Sequence, residues 1–146
     1  YLYKQLKNKN DIKVAKEAVL TTYILCFAVF AICTLITLIP NEAYIYIIGD
    51  KYTDSLKILP IIIFAQGFHG IYLVFTNYLF YEKRTGSLSS ITMFSGAFGI
   101  LLLIYLVDSF GLEGASYALF FSLMLRALLT MLFTFKVIKL PWFNRL

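Results

Sequence analysis

Charge is missing from long stretches of this sequence. Three runs, Ala18–Ile39, Ile58–Tyr81 and Leu88–Val107, contain no Lys, Arg, Asp or Glu, and a fourth, Ala115–Phe135, contains only Arg126. Charged residues make up 14% of the 146 positions and apolar residues 60%. Soluble domains average about 25% and roughly 45–50%, which excludes a soluble globular fold. Cysteine is also scarce. Cys26 and Cys33 fall inside one apolar run, which argues against a disulfide framework or a metal site and leaves them as small apolar side chains. There is no sustained heptad pattern, low-complexity tract or close internal repeat. No initiator Met and no signal-peptide pattern open the chain, and we read it as a piece of a longer protein.

The apolar runs are what is there. A membrane-crossing helix needs about 20 mostly apolar residues to traverse roughly 30 Å, and all four runs qualify. In hydrocarbon every backbone group must be bonded within its segment, so helices and not strands are expected. The predicted fold is an all-α integral membrane bundle of four spans. Residues 1–17 precede it as a cytoplasmic linker, and residues 136–146 follow as a cytoplasmic tail. Pro40 is expected to kink or stop the first span. The segment Ala43–Gly49 is too short to cross and is expected to lie in the outer leaflet until Gly49 turns the chain. Pro60 fits the first turn of the second span, where its missing N–H is harmless.

The net charge of +5 would hint at nucleic acid in a soluble chain, but here the placement of the cations excludes that partner. Lys4, Lys7, Lys9, Lys13 and Lys16 precede the first span, Lys83 and Arg84 lie between the second and third, and Lys136, Lys139 and Arg145 follow the fourth. The other two loops hold Lys51 and Lys57 against Glu42, Asp50, Asp54, Asp108 and Glu113. The positive-inside rule therefore puts both termini and the Glu82–Gly86 turn in the cytoplasm. Tyr23, Tyr81 and Trp142 would mark the inner interface, and Tyr52, Tyr105 and Tyr117 the outer one.

At 100° per residue, Thr22, Cys26, Cys33 and Thr37 share one face of the first span. Ser89, Thr92, Gly96 and Gly99 form a small-residue seam on the third. Such seams let helices approach closely where hydrophobicity cannot drive association. On the second span Gln66, His69, Leu73 and Asn77 fall on one stripe with Gly70 beside it, and Ile61 and Phe75 lie opposite. Polar groups on that stripe must meet protein or water, since each one unpaired in lipid costs several kcal/mol. They either line a polar cavity, with His69 as a proton-coupling group, or simply hold the bundle together by hydrogen bonds.

On the fourth span, Leu119, Ser122, Arg126, Thr130 and Phe133 share a face. Arg126 is about ten residues, hence roughly 15 Å, from either interface, too far to snorkel. Its insertion costs about 2.5–3.5 kcal/mol, which the neighbouring Leu and Phe residues offset at roughly 0.3–0.6 each. No acidic residue of the chain lies at its depth, so its partner is expected outside these 146 residues: an anionic ligand, water, or a carboxylate on another helix. Ser122 and Thr130 are expected to brace the guanidinium.

Several stretches then converge on a family. The turn Gly49-Asp50-Lys51-Tyr52 with Ser55-Leu56, the run from Asn77 through Val107, and Phe110-Gly111-Leu112-Glu113-Gly114-Ala115-Ser116 resemble the C-terminal third of Wzx-type polysaccharide flippases. Those proteins belong to the MOP superfamily, alongside the MATE drug exporters. The resemblance covers nearly the whole chain, though its motifs are structural. It implies the last four helices of a twelve-helix transporter of the bacterial inner membrane. Its substrate would be an undecaprenyl-pyrophosphate-linked oligosaccharide, flipped outward for O-antigen, lipopolysaccharide or other surface-polysaccharide biosynthesis. Implied partners are the lipid bilayer, the rest of the same chain, and polysaccharide polymerase and chain-length proteins. No cofactor, metal or catalytic residue is implied. The candidate cavity residues are Arg126, Ser122, Thr130, Gln66, His69 and Asn77.

Three rival functions fit the same residues less well. An integral-membrane enzyme is disfavoured, because the outer loops are short and His69 has no carboxylate near it in sequence. A MATE-like exporter of cationic drugs would want buried carboxylates, which the spans lack. A non-transporting scaffold of polysaccharide assembly has no evident use for the buried polarity.

Overall fold

The computed structural model describes residues 12–138 and 140–142. They form four helices: α1 (Ile12–Thr37), α2 (Asn41–Ile48), α3 (Leu59–Tyr81) and α4 (Thr85–Val137), with a 3₁₀ segment (Asp50–Lys57) between α2 and α3. Three of these, α1, α3 and α4, are long and apolar enough to cross a membrane. Much of the outer surface is apolar, with Phe27 76% and Met93 79% exposed. Such a surface suits hydrocarbon and is far more apolar than a monomer in water presents.

Helix α4 has 53 residues. Straight, it would run about 80 Å, more than twice the hydrocarbon thickness of about 30 Å. It folds back on itself at Gly111, whose backbone (φ 56°, ψ −129°) is not helical. That conformation suits glycine, because a Cβ would collide with the backbone there. Glycine also lets the returning chain close in: a Cβ on Gly114 would sit 2.0 Å from the Leu106 carbonyl oxygen. Further along, the Ser122 hydroxyl donates to the Ser95 carbonyl (2.9 Å). The pairings 106 with 114 and 95 with 122 define an antiparallel hairpin with arms 85–110 and 112–137. The third and fourth expected spans are these two arms, and the loop expected between them shrinks to a single glycine.

Helix α3 is central, packed against α1 on one side and the α4 hairpin on the other. The α1 contact runs along the expected small-residue face. Cys33 meets Gly67, where a Cβ would lie 2.8 Å from its Sγ, and Val29 meets Gly70. The Cys33 thiol points to the Ile63 carbonyl (3.5 Å), and Thr22 and Tyr78 share a buried hydroxyl–hydroxyl hydrogen bond. On the other side Phe68 stacks edge-on between Phe30 of α1 and Phe120 of α4, both at 5.5 Å.

Both ends of the described chain lie together. Ala15, Val19, Phe75, Tyr78, Ile138, Leu140 and Trp142 form one buried cluster. Trp142 is wedged against Phe135 (4.9 Å) and Tyr78 (5.5 Å), and the Tyr23 hydroxyl donates to its carbonyl (2.6 Å). Trp142 was expected at the inner interface. It lies inside the buried cluster, at the end of the bundle that holds both ends of the described chain. The Tyr81-to-Thr85 turn belongs to the same end. Lys83 adopts a left-handed conformation (φ 55°), and the Arg84 N–H caps the Leu79 carbonyl (2.8 Å). At the opposite end Lys57 and Ile58 line a small cavity with Phe110, Leu112 and Glu113. The chain thus runs up, down, up and down, so that both ends of the described residues and the Tyr81-to-Thr85 turn share one end of the bundle.

Helix α1 begins by Ile12, so residues 12–17 of the expected linker are helical, with Ala15 buried; residues 1–11 lie outside the described residues. Beyond Pro40, α2 carries the segment expected to lie in the outer leaflet. It ends at Gly49 (φ 91°) and leaves Tyr46 92% exposed. Pro60 occupies the first turn of α3.

Candidate functional site

Arg126 lies at the interface of α3 with the second arm of α4. Its Nη2 donates to His69 Nδ1 at 2.5 Å, and its guanidinium carbon lies 4.3 Å from the centre of the Tyr72 ring. Tyr72 in turn stacks with His69 (5.7 Å between centroids, 18° between planes) and reaches Thr92 on the first arm (3.4 Å). The guanidinium is thus held by an imidazole and an aromatic face, both from α3.

This corrects the expectation that the partner of Arg126 lies outside the 146 residues. The sequence separations are 57 for His69 and 54 for Tyr72 (126 minus 72), and only the α3–α4 packing brings them together. What they supply, however, is no counter-charge. A guanidinium only donates, so His69 accepts at Nδ1 as a neutral ring with its proton on Nε2. The Tyr72 face contributes a cation–π attraction of about 0.5–2 kcal/mol. The nearest acidic residue before Arg126 on its own arm is Glu113, thirteen residues or roughly 20 Å away along the axis. The guanidinium's donors are far from used up, and one of them, Nε, is buried and makes no hydrogen bond. Such a group costs about 1–3 kcal/mol, more when charged.

The expected braces act elsewhere. Ser122 donates to the Ser95 carbonyl and ties the hairpin arms. Thr130 donates to the backbone carbonyl of Arg126 (2.8 Å), the back-bond that hydroxyl residues often make to the preceding helical turn. Thr130 is fully buried, so it fixes the backbone of Arg126 and leaves the guanidinium free.

The polar stripe of α3 divides. His69 sits at its edge, turned to Arg126. Gln66, Leu73 and Asn77 lie on a face that neither α1 nor α4 covers, and all three are exposed. The Asn77 amide donates to the Leu73 carbonyl one turn back (3.0 Å), which leaves its carbonyl oxygen facing outwards. Tyr72 is the site residue that the sequence does not mark. As an aromatic on an apolar helix it carries no mark of its own, and three residues from His69 is the only hint.

A second hollow lies on the far side of α3, about 390 Å³ in volume and lined by Phe30, Pro60, Ile61, Phe64, Phe68 and Phe120 with Tyr117. It offers no charged group. Among the described residues no cluster of His, Cys, Asp or Glu is arranged to hold a metal. Compared with family models, curated proteins and solved structures, the chain matches none.

Proposed function

We propose that this chain is part of a membrane transporter that flips an undecaprenyl-pyrophosphate-linked oligosaccharide outward across the bacterial inner membrane. The observation that carries the reading is Arg126, a permanent cation in the middle of an apolar helix, held by neutral groups and retaining a buried, unbonded Nε–H. A purely architectural arginine would be expected beside a carboxylate, since charges within the membrane usually pair with one another. A cation held by an imidazole and a ring stays positive and available. Its planar fork matches the oxygens of a diphosphate. The uncovered stripe of Gln66 and Asn77 beside it offers amides to a polar headgroup in a wet cavity closed by the rest of the protein. The resemblance to Wzx-type flippases supplies the sugar-lipid as the diphosphate's bearer.

Deleting the gene in its host tests this reading. The expected result is loss of surface polysaccharide with accumulation of diphosphate-linked oligosaccharide on the cytoplasmic side, both restored by the intact gene. Unchanged polysaccharide and unchanged lipid-linked intermediates would overturn the proposal.

A further inference from the structure

We infer that Arg126 and His69 form a site that binds one oxyanion and one proton together, the two ligands each strengthening the other. The inference rests on the proposed role of Arg126 as the anion-binding group and adds the ion that accompanies the anion.

The Arg126–His69 hydrogen bond uses the Nδ1 lone pair of His69, the atom a proton would take. While that bond stands, His69 is neutral and cannot protonate at Nδ1 without placing two cations in contact. The bond also turns one edge of the guanidinium towards α3 and leaves Nε buried with no acceptor, so the guanidinium's donors are not all used. An oxyanion that engages the fork bidentately satisfies Nε and draws the guanidinium off the imidazole. Nδ1 of His69 is then vacant, next to a new negative charge. A nearby anion favours the protonated ring. Uptake of a proton from water raises the positive charge of the pair from one to two, which suits a diphosphate better than a lone cation does. The order of events does not alter the linkage: a proton arriving first breaks the same bond and frees the same fork.

The surroundings of His69 contain little else that titrates. On α3 its neighbour is Tyr72, stacked on it, and from α4 it faces Arg126. Val29 and Cys33 of α1 pack at Gly70 and Gly67 on either side of His69, and of these only Cys33 titrates, its thiol pointing to the Ile63 carbonyl. Gln66 and Asn77, on the same stripe, carry no charge. A change in the charge of this site near neutral pH therefore belongs to His69.

The test is the pH dependence of anion binding by the full-length protein in lipid nanodiscs, with farnesyl pyrophosphate as the probe. Wild type is compared with His69→Gln, which keeps an acceptor for the guanidinium but cannot take up a proton. Taking the ratio of the two dissociation constants at each pH cancels the titration of the probe itself. The two proteins should bind alike at pH 8, within about twofold, and wild type should bind roughly tenfold more tightly at pH 5.5, the gain expected when the ring is neutral in the free site and, with the anion bound, titrates about one unit above the assay pH, near the ordinary imidazole value. His69→Asn, smaller and also unable to titrate, should follow His69→Gln. A ratio constant from pH 5.5 to 8, with binding that still depends on Arg126, overturns the co-binding and leaves the anion site standing. If wild type binds no probe at either pH, or Arg126→Gln binds as well as wild type, the anion site itself is refuted and the co-binding with it.

Discussion

Gly114→Ala adds a single methyl group, and the structure says where it goes. Its Cβ would lie 2.0 Å from the Leu106 carbonyl oxygen, 2.5 Å from the Leu106 carbonyl carbon and 3.1 Å from the Val107 nitrogen. Ordinary contact begins near 3.4 Å, so the arms of the α4 hairpin must part by more than 1 Å at their tightest point. The obstructing atoms are backbone and cannot swing aside. Overpacking of this kind costs about 1–3 kcal/mol, occasionally more, a large share of the stability of most proteins. Two further glycines make the measurement internal. At Gly99 the new Cβ would meet Ser122 Oγ at 2.5 Å and Cβ at 2.8 Å, side-chain atoms that yield in part, at the expense of the bond to Ser95. At Gly96 it meets nothing within 4 Å. Thermal unfolding in detergent should therefore rank Gly114→Ala least stable, Gly99→Ala intermediate and Gly96→Ala equal to wild type. If Gly114→Ala and Gly96→Ala melt together, the hairpin geometry at Gly111 is wrong.

The remaining predictions concern the frame and the stripe. Single cysteines at Asn41 and Ser109 should react with an impermeant reagent added to intact cells, whereas one at Thr85 should not; labelling at Thr85 would reverse the orientation. Gln66→Leu and Asn77→Leu should lower transport several-fold at unchanged protein level, while Ile61→Leu, on the opposite side of α3, should not; equal behaviour of all three would make the polar stripe incidental. Trp142→Ala should cost about 3–5 kcal/mol, read as a lower melting temperature, because the ring is buried against Phe75, Tyr78 and Phe135. A wild-type melting curve for that variant would show that the chain's end does not seal the bundle.

Much of the frame was legible because bilayer physics leaves few choices. Twenty uncharged residues in a row have one way to satisfy their backbone. Pro40, Gly49 and Pro60 act where their chemistry allows. The small-residue face of α1 was readable too, since Cys33 and Thr22 stand where α3 approaches. The hairpin was half visible: Gly111 and Gly114 marked a turn, but a positive φ and a 2.0 Å approach are properties of two helices packed together. The site was harder still. Arg126 announced itself by its charge, whereas its partners are an imidazole and a ring on another helix. A search for carboxylates passes over both. Ser122 and Thr130 misled for a related reason. Shared helical face predicts proximity, but a hydroxyl in an apolar setting bonds the nearest carbonyl with a lone pair to spare, and here that was backbone.

The central claim, that Arg126 serves an anionic ligand and not the fold, is tested most directly by one series at that position, with transport and melting temperature measured on the same preparations. The Lys variant keeps the charge without the fork, Gln keeps polarity alone, and Leu removes both. A charged hydrogen bond is worth about 1.5–3 kcal/mol, or roughly 10- to 150-fold, so Gln and Leu should lose at least tenfold in flipping of the lipid-linked oligosaccharide, with Lys between them and wild type. Because Arg126 carries an unneutralised charge and a buried unbonded Nε, Arg126→Leu should melt no lower than wild type. Lost transport with retained stability is the predicted result. Normal transport in Arg126→Leu, or a fall in folded protein that accounts for all the lost activity, would contradict it.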